Sequence, residues 1–346
     1  MDKEEKVVTV NGIGGDETSE AMHEEAVNEL VEKMSRLDIT DDEEMRGIGE
    51  DTGNLSPRRS PKKEEPTCVY HLKRVLWHGK KIPIVTQNEN GPCPLIAISN
   101  VLLLRGKIFL PQLIEMITAE QLVEYIGDAI ISSVPKKLLV VSCISRLLNY
   151  EQNVQDAIAV LPKLHTGLDV NVQFTGVTSF EYTSECNVFD LLNITLYHGW
   201  VIDPQCPEVV SAIGSLGYNQ IVEKIINNKG SNEDELVTEA LIAEQFLEKT
   251  ASQMTYHGLC ELHAAMKNEE LAVLFRNNHF STILKHRDEL FQLVTDQGFL
   301  HETKVVWETL SNIEGDGMFV DGHFITVPPK ESTFPMDSDN NEKCCS

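Results

Sequence analysis

From Leu95 to Leu104 the chain is almost entirely aliphatic, a stretch long enough for a buried helix and without a polar face to turn toward water. A helix of that kind has to be wrapped by the rest of a fold, so whatever opens it sits at the edge of the core. Here the opening is Gln87-Asn88-Glu89-Asn90-Gly91-Pro92-Cys93-Pro94, with Gly91 and Pro92 making a tight entry and Cys93 at the helix N-terminus. Unpaired N–H groups and the helix dipole favour negative charge at that point, and cysteines so placed have thiol pKa values below the free value. In thiol hydrolases a side-chain amide a few residues ahead of the nucleophile can donate to the developing oxyanion, which is the position Gln87 occupies.

A thiol nucleophile requires a base, and chain order points to His279. Leu271 to Leu284 reads as two strands joined at the polar Arg276-Asn277-Asn278 step, with His279 opening the second. A third strand is expected from Leu290 to Thr295 after the Arg287-Asp288-Glu289 turn, ending at Asp296-Gln297-Gly298. Either Asp296 or Gln297 could orient the imidazole from there. The order amide, cysteine, histidine, polar orienter is that of papain-like thiol hydrolases, in which the histidine takes the thiol proton and later gives it to the leaving amine.

Five long stretches carry a resemblance: QNENGPCPLIAISNVLLL (Gln87 to Leu104), LDVNVQFTGVTSFEYT (Leu168 to Thr183), FDLLNITLYHGWVIDPQ (Phe189 to Gln205), LIAEQFLEKTASQMTYHGLCEL (Leu241 to Leu262), and FRNNHFSTILKH with LVTDQGFL (Phe275 to Leu300). They resemble the MINDY family of deubiquitinases, and the likeness runs from about Tyr70 to Val327. It implies an α+β fold with a papain-like core and helical insertions. The implied activity is a cysteine isopeptidase that trims lysine-48-linked polyubiquitin from the distal end. By motif, Cys93 is the implied nucleophile, His279 the general base and acid, and Gln87 the oxyanion donor. Asp169, Val170, Trp200, Tyr218 and Phe275 match positions that in the family meet ubiquitin. Tyr70 matches a family tyrosine near the cysteine. With Pro92 and Pro94 flanking Cys93, it points to a loop that gates the thiol until substrate docks. Two other readings use the same residues: a ubiquitin-chain-binding adaptor with an inactive centre, and a peptidase for another ubiquitin-like protein. Larger family members carry an extra ubiquitin-binding helix with no counterpart after Pro329, so chain-length preference is expected to rest on the catalytic domain's own subsites.

The expected organisation is an acidic, disordered tail over residues 1–66, a catalytic domain over 67–328 and a disordered tail over 329–346. The first segment has 19 acidic and 9 basic residues, too little apolar surface to offset the entropy of ordering. Within it, Met22, Ala26, Leu30, Met34 and Leu37 fall on one helical face and resemble a partner-binding helix. The net charge of −25 argues against nucleic acid and anionic membranes as partners and suits the basic rim of ubiquitin. The 8 cysteines show no ligand or framework spacing, so no metal or other cofactor is expected. No run reaches the roughly 18 apolar residues of a membrane span, and no signal peptide opens the chain. A monomer in the cytoplasm or nucleus is expected. Aliphatic spacing predicts helices over Leu110–Val134, Glu151–Leu164, Gln220–Asn228 and Glu235–Met266, the last broken near Tyr256-His257-Gly258. Alternation predicts strands at Val170–Phe174 and Trp200–Ile202 and a small, largely antiparallel sheet.

Overall fold

The computed structural model describes residues 68–88, 93–133 and 144–328. Both tails, the helical face between Met22 and Leu37, and Gly91 and Pro92 of the entry turn lie outside the described residues. The class is α+β, with two sheets where one was expected. β1 (Val69–Trp77), β2 (Lys80–Val85) and β3 (Met116–Thr118) form one in the order β2-β1-β3. The second runs β4-β5-β6-β7-β8-β9, comprising β4 (Leu196–His198), β5 (Leu271–Arg276), β6 (His279–His286), β7 (Glu289–Leu293), β8 (Trp307–Thr309) and β9 (Phe319–Val320). All its pairings are antiparallel except β4 with β5.

Helix α1 (Cys93–Leu104) is the expected central helix: every residue from Pro94 to Leu104 is buried. Its two interior polar residues face different tasks. Asn100 Oδ1 accepts from Val85 N–H at 2.7 Å and its Nδ2 donates to Val85 C=O at 3.0 Å, so the side chain substitutes for a neighbouring strand at the end of β2. The Ser99 hydroxyl is buried without a hydrogen-bond partner among the described residues. Thr282 Oγ1 donates to Ala97 C=O at 3.0 Å and fastens β6 to the helix, while Trp77 Nε1 donates to Leu104 C=O at its far end.

Three hairpin turns set the strand registers, each with two consecutive residues at positive φ: His78-Gly79, Asn277-Asn278 and Arg287-Asp288. Two-residue turns of this conformation match the twist of the flanking strands. Lys73, in the middle of β1, is buried with its ammonium donating to Val305 C=O, and burial lowers its pKa to about 8. It joins the first sheet to the segment ahead of β8.

Several expected boundaries move, for identifiable reasons. Leu110–Val134 is not one helix: residues 116–118 pair with β1, and α2 (Ala119–Ser132) begins only at Thr118, whose side chain forms a capping box with Gln121. The helix expected at Glu151–Leu164 is α3 (Ile144–Val160), which tightens to a 3₁₀ turn at Leu161–His165, because Pro162 cannot continue it. Helices α4 (Ser184–Leu191) and α5 (Pro207–Ile213) carry no strong periodicity and were not expected. Helix α6 (Tyr218–Asn228) starts two residues before its expected Gln220. The strand expected at Trp200–Ile202 is instead at Leu196–His198, and Val170–Phe174 forms only isolated bridges, through Val172 and Gln173.

The long helical stretch divides into α7 (Asp234–Lys249) and α8 (Tyr256–Ala265), so the break precedes Tyr256 instead of falling on it. Thr255 caps α8, accepting from Gly258 N–H at 2.9 Å. Gly258 is there for proximity: a Cβ would lie 1.9 Å from the Gly199 carbonyl oxygen. Gly258→Ala therefore has to push α8 off the β4 loop, at a cost of about 2–3 kcal/mol. Thermal unfolding of the variant checks this, and an unchanged melting temperature would contradict the close approach.

Candidate active site

Gln87 is positioned by its backbone. Its N–H donates to Thr295 C=O at 2.7 Å and its C=O accepts from Gln297 N–H at 3.1 Å, a parallel bridge opposite Asp296. The segment after β7 thus carries the end of the first sheet, and the amide travels with it. His279 reaches the same place from the other side. The Asn277-Asn278 turn fixes the start of β6, and β6 lies on α1, whose first residue is Cys93. The Cys93 thiol meets the backbone N–H of Phe280, the residue after the histidine.

The resting electrostatics differ from the expectation for a helix N-terminus. Burial pushes the Cys93 thiol up from its ordinary value, and the Phe280 N–H and its own N–H offset only part of this. Burial pushes the His279 imidazole down. Desolvation disfavours the charged form of each, so at neutral pH the pair rests as thiol and imidazole. Among the described residues no hydrogen bond joins Cys93 Sγ to His279. Alkylation of Cys93 by iodoacetamide in the free chain should accordingly rise only at alkaline pH, later than for a free cysteine. A profile already complete below the free-thiol pKa would contradict the buried thiol.

Of the two suggested orienters, Asp296 is exposed and its Oδ1 accepts from Gly298 N–H at 2.6 Å, capping a short 3₁₀ turn. Its carboxylate is engaged locally. Gln297 is half-buried and follows on that turn. Gln87, His279, Gln292, Asp296, Glu308 and Phe319 are among the residues lining one cavity of about 800 Å³. Gln292 and Glu308 were not marked in the sequence; strand pairing sets Gln292 beside Ile283 of the histidine's strand and Glu308 beside Gln292, and both line the cavity with His279.

The residues matched to ubiquitin contacts divide into surface and core. Asp169 is exposed, Val170 half-buried and Tyr218 38% exposed. Trp200 is 4% exposed: its Nε1 donates to Thr250 Oγ1 at 2.6 Å, and its ring packs between Phe174, Phe246 and Tyr218. It supports Tyr218 from beneath, and the turn beside it does not bring its ring to the surface. Phe275 is likewise buried, against Phe280. Tyr70 is buried in β1, where burial and nearby Cys68 push its phenol well above the ordinary range, and Pro94 is buried in the first turn of α1. His198, which no motif singled out, holds the Trp200 backbone. Its Nδ1 accepts from Trp200 N–H at 3.1 Å while Nε2 donates to Ser179 C=O at 3.1 Å.

No cysteine among the described residues is disulfide-bonded, no cluster of potential metal ligands occurs among them, and no described helix is long and apolar enough to cross a membrane. The model of the MINDY deubiquitinase family matches residues 68–324. The chain is 59% identical over 263 residues to human ubiquitin carboxyl-terminal hydrolase MINDY-2, covering 76% of this chain and 42% of that one. It is 58% identical over 267 residues to bovine ubiquitin carboxyl-terminal hydrolase MINDY-1, covering 77% and 56%. With the zebrafish (Danio rerio) protein of the latter name it shares 54% over 284 residues, covering 82% and 54%. The chain spans about half the length of the curated relatives it matches. A family match over most of the described residues, together with 54–59% identity to relatives over 76–82% of its length, makes this chain a member of the MINDY deubiquitinase family.

Proposed function

We propose that the chain is a thiol-dependent deubiquitinase with a papain-like core that hydrolyses isopeptide bonds of lysine-48-linked polyubiquitin, trimming from the distal end. The reading is supported by Gln87 and His279 lining one cavity and by Cys93 lying against the backbone of Phe280, the residue after the histidine, in a chain 54–59% identical to proteins named ubiquitin carboxyl-terminal hydrolases. Cys93 sulfur bonds to the carbonyl carbon of ubiquitin's terminal glycine as His279 takes the thiol proton. Gln87 holds the oxyanion, and the imidazolium protonates the lysine nitrogen as the C–N bond breaks. Water then frees the thioester.

Because Cys93 and His279 rest uncharged, productive docking has to bring them into register. Tyr70 and Pro94, buried on either side of the thiol in sequence, are the residues we assign to that gate. Asp169, Val170 and Tyr218 form the exposed part of the surface that receives distal ubiquitin, and buried Trp200 and Phe275 set its shape. The absence of any required cofactor, a monomeric state and residence in the cytoplasm and nucleus belong to the same proposal. Incubation with ubiquitin tetramers of all linkages tests it. Loss of lysine-48-linked tetramer, with mono-ubiquitin and trimer appearing first, is expected. Equal cleavage of every linkage would remove the selectivity, and trimer failing to precede dimer would remove distal trimming.

A further inference from the structure

His279 enters β6 directly from the Asn277-Asn278 turn, and its partner across the hairpin is Arg276. Both turn residues are exposed and lie at positive φ, so no core packing of their own fixes them. The last pair of this hairpin buried on both strands is Phe275 with Phe280. The imidazole sits on the turn side of that pair, where an exposed tip is ordinarily mobile. Its placement therefore depends on what holds the tip.

The hold comes from outside the sheet, from the linker between α7 and α8. Asn277 N–H donates to Gln253 Oε1 at 2.9 Å, and Arg276 Nε donates to Ser252 C=O at 3.0 Å. The Asn277 side chain, with its nitrogen toward the linker, reaches Ala251 C=O at 3.3 Å and Ser252 C=O at 3.2 Å. The Arg276 guanidinium also donates to Ile313 C=O, so its fork joins two segments that are far apart in the sequence. Among the described residues it has no carboxylate partner. A half-buried guanidinium committed to two backbone carbonyls fixes geometry, because each carbonyl accepts over a restricted range of directions.

The linker is itself well anchored. Gln253 lies at φ 52° and its N–H donates to Thr250 C=O at 2.8 Å. Met254 is buried and bridges Gly199, and Thr255 Oγ1 donates to Val201 C=O at 2.7 Å. At Thr250 the same linker accepts from Trp200 Nε1. One short segment thus carries both the support beneath Tyr218 and the tie to the histidine hairpin. We propose that Gln253 and Arg276 are positioning residues for His279: they clamp the β5–β6 turn to the α7–α8 linker and hold the imidazole in the orientation that proton transfer from Cys93 and to the leaving nitrogen requires. Each acts through the histidine.

For turnover the inference rests on the deubiquitinase reading, and the experiment separates the two. Ubiquitin carrying a C-terminal aminocoumarin amide gives kcat and KM. In the full chain with 13C-labelled histidine, NMR follows the His279 ring signals, identified by their loss in His279→Ala. Gln253→Ala removes the acceptor of an N–H on an exposed turn, so melting should change little. Its kcat is expected to fall by about ten-fold or more, with KM within about two-fold, as for a misplaced catalytic group. Gln253→Glu, which keeps the acceptor, should restore kcat. Arg276→Lys keeps the charge but cannot span both carbonyls, and should lower kcat in the same way. The His279 ring signals are expected to shift or broaden in Gln253→Ala and Arg276→Lys. Signals that stay in place in both overturn the clamp. Shifted signals with kcat within about two-fold of the unaltered chain overturn its role in turnover, and so does a fall in kcat that Gln253→Glu does not reverse. If the unaltered chain fails to cleave while the ring signals still move, the deubiquitinase reading falls and the clamp stands.

Discussion

Cys93→Ala is expected to abolish isopeptide cleavage while immobilised lysine-48-linked chains still retain the protein. His279→Ala should come close to the same loss, since a neutral thiol without a base attacks poorly. The more discriminating variant is Gln87→Ala. Its backbone bonds to Thr295 and Gln297 need no side chain, so the variant keeps the strand end in place and should melt as the unaltered chain does. What disappears on the proposed mechanism is one oxyanion donor, a loss that typically lowers kcat by about 100- to 1000-fold. An effect confined to KM would remove Gln87 from the oxyanion site, because a donor used mainly in the transition state acts on turnover. Cleavage by Cys93→Ala near the original rate would remove the mechanism as a whole.

Trp200→Ala is expected to act on stability, by about 3–5 kcal/mol, the range for removing a large buried aromatic. Its ring sits at 5.0 Å from Phe174 in a T-shaped pair and stacks at 6.5 Å on Phe246, and its loss also removes the N–H that donates to the Thr250 hydroxyl oxygen. A fall in melting temperature on the order of 10 °C follows. Tyr218→Ala, at the exposed end of the same group, should weaken ubiquitin binding with little effect on melting. If Trp200→Ala leaves melting unchanged and only binding suffers, the ring is a contact and not a support. The same corner should be acid-sensitive. Burial lowers His198 to about 4 from an unfolded value of about 6.5, so between these values the unfolded chain binds the proton and the folded chain does not. Stability from this group is therefore complete above about pH 6.5 and is lost as pH falls toward 4, about 3 kcal/mol in all. Melting curves across that window should flatten in His198→Gln.

The parts of the fold that could be read from the sequence are those whose signal is local. Leu95 to Leu104 is apolar on every side because α1 is covered on every side, and the β5, β6 and β7 strands announce themselves through polar two-residue turns. The β1–β2 hairpin escaped because its alternation is interrupted by Lys73, a cation that is buried on account of a carbonyl more than 200 positions later. Strands β3, β8 and β9 are two or three residues long and exist only through their partners. Gly258 has the composition of a helix breaker and the job of a spacer, which displaced the expected break by several residues. At the site, Cys93, His279 and Gln87 sit in motifs. Burial pushes the thiol up instead of leaving it depressed as expected of a helix start, outweighing the backbone N–H groups of Phe280 and Cys93. Glu308 has no motif, being placed by register alone.

The bonds from Gln87 to Thr295 and Gln297, and from Lys73 to Val305, also bear on when this thiol becomes a site at all. During synthesis the nucleophile emerges first and its base much later. The backbone of Gln87, just past β2, has no bridge partner until roughly two hundred further residues have been made. At ordinary elongation rates that interval is on the order of 10–40 s. Throughout it the ribosome carries a cysteine without the proposed base and with Gln87 not yet fixed by Thr295 and Gln297, so on the proposed mechanism the nascent chain does not attack ubiquitin marks on neighbouring proteins before its own fold is closed.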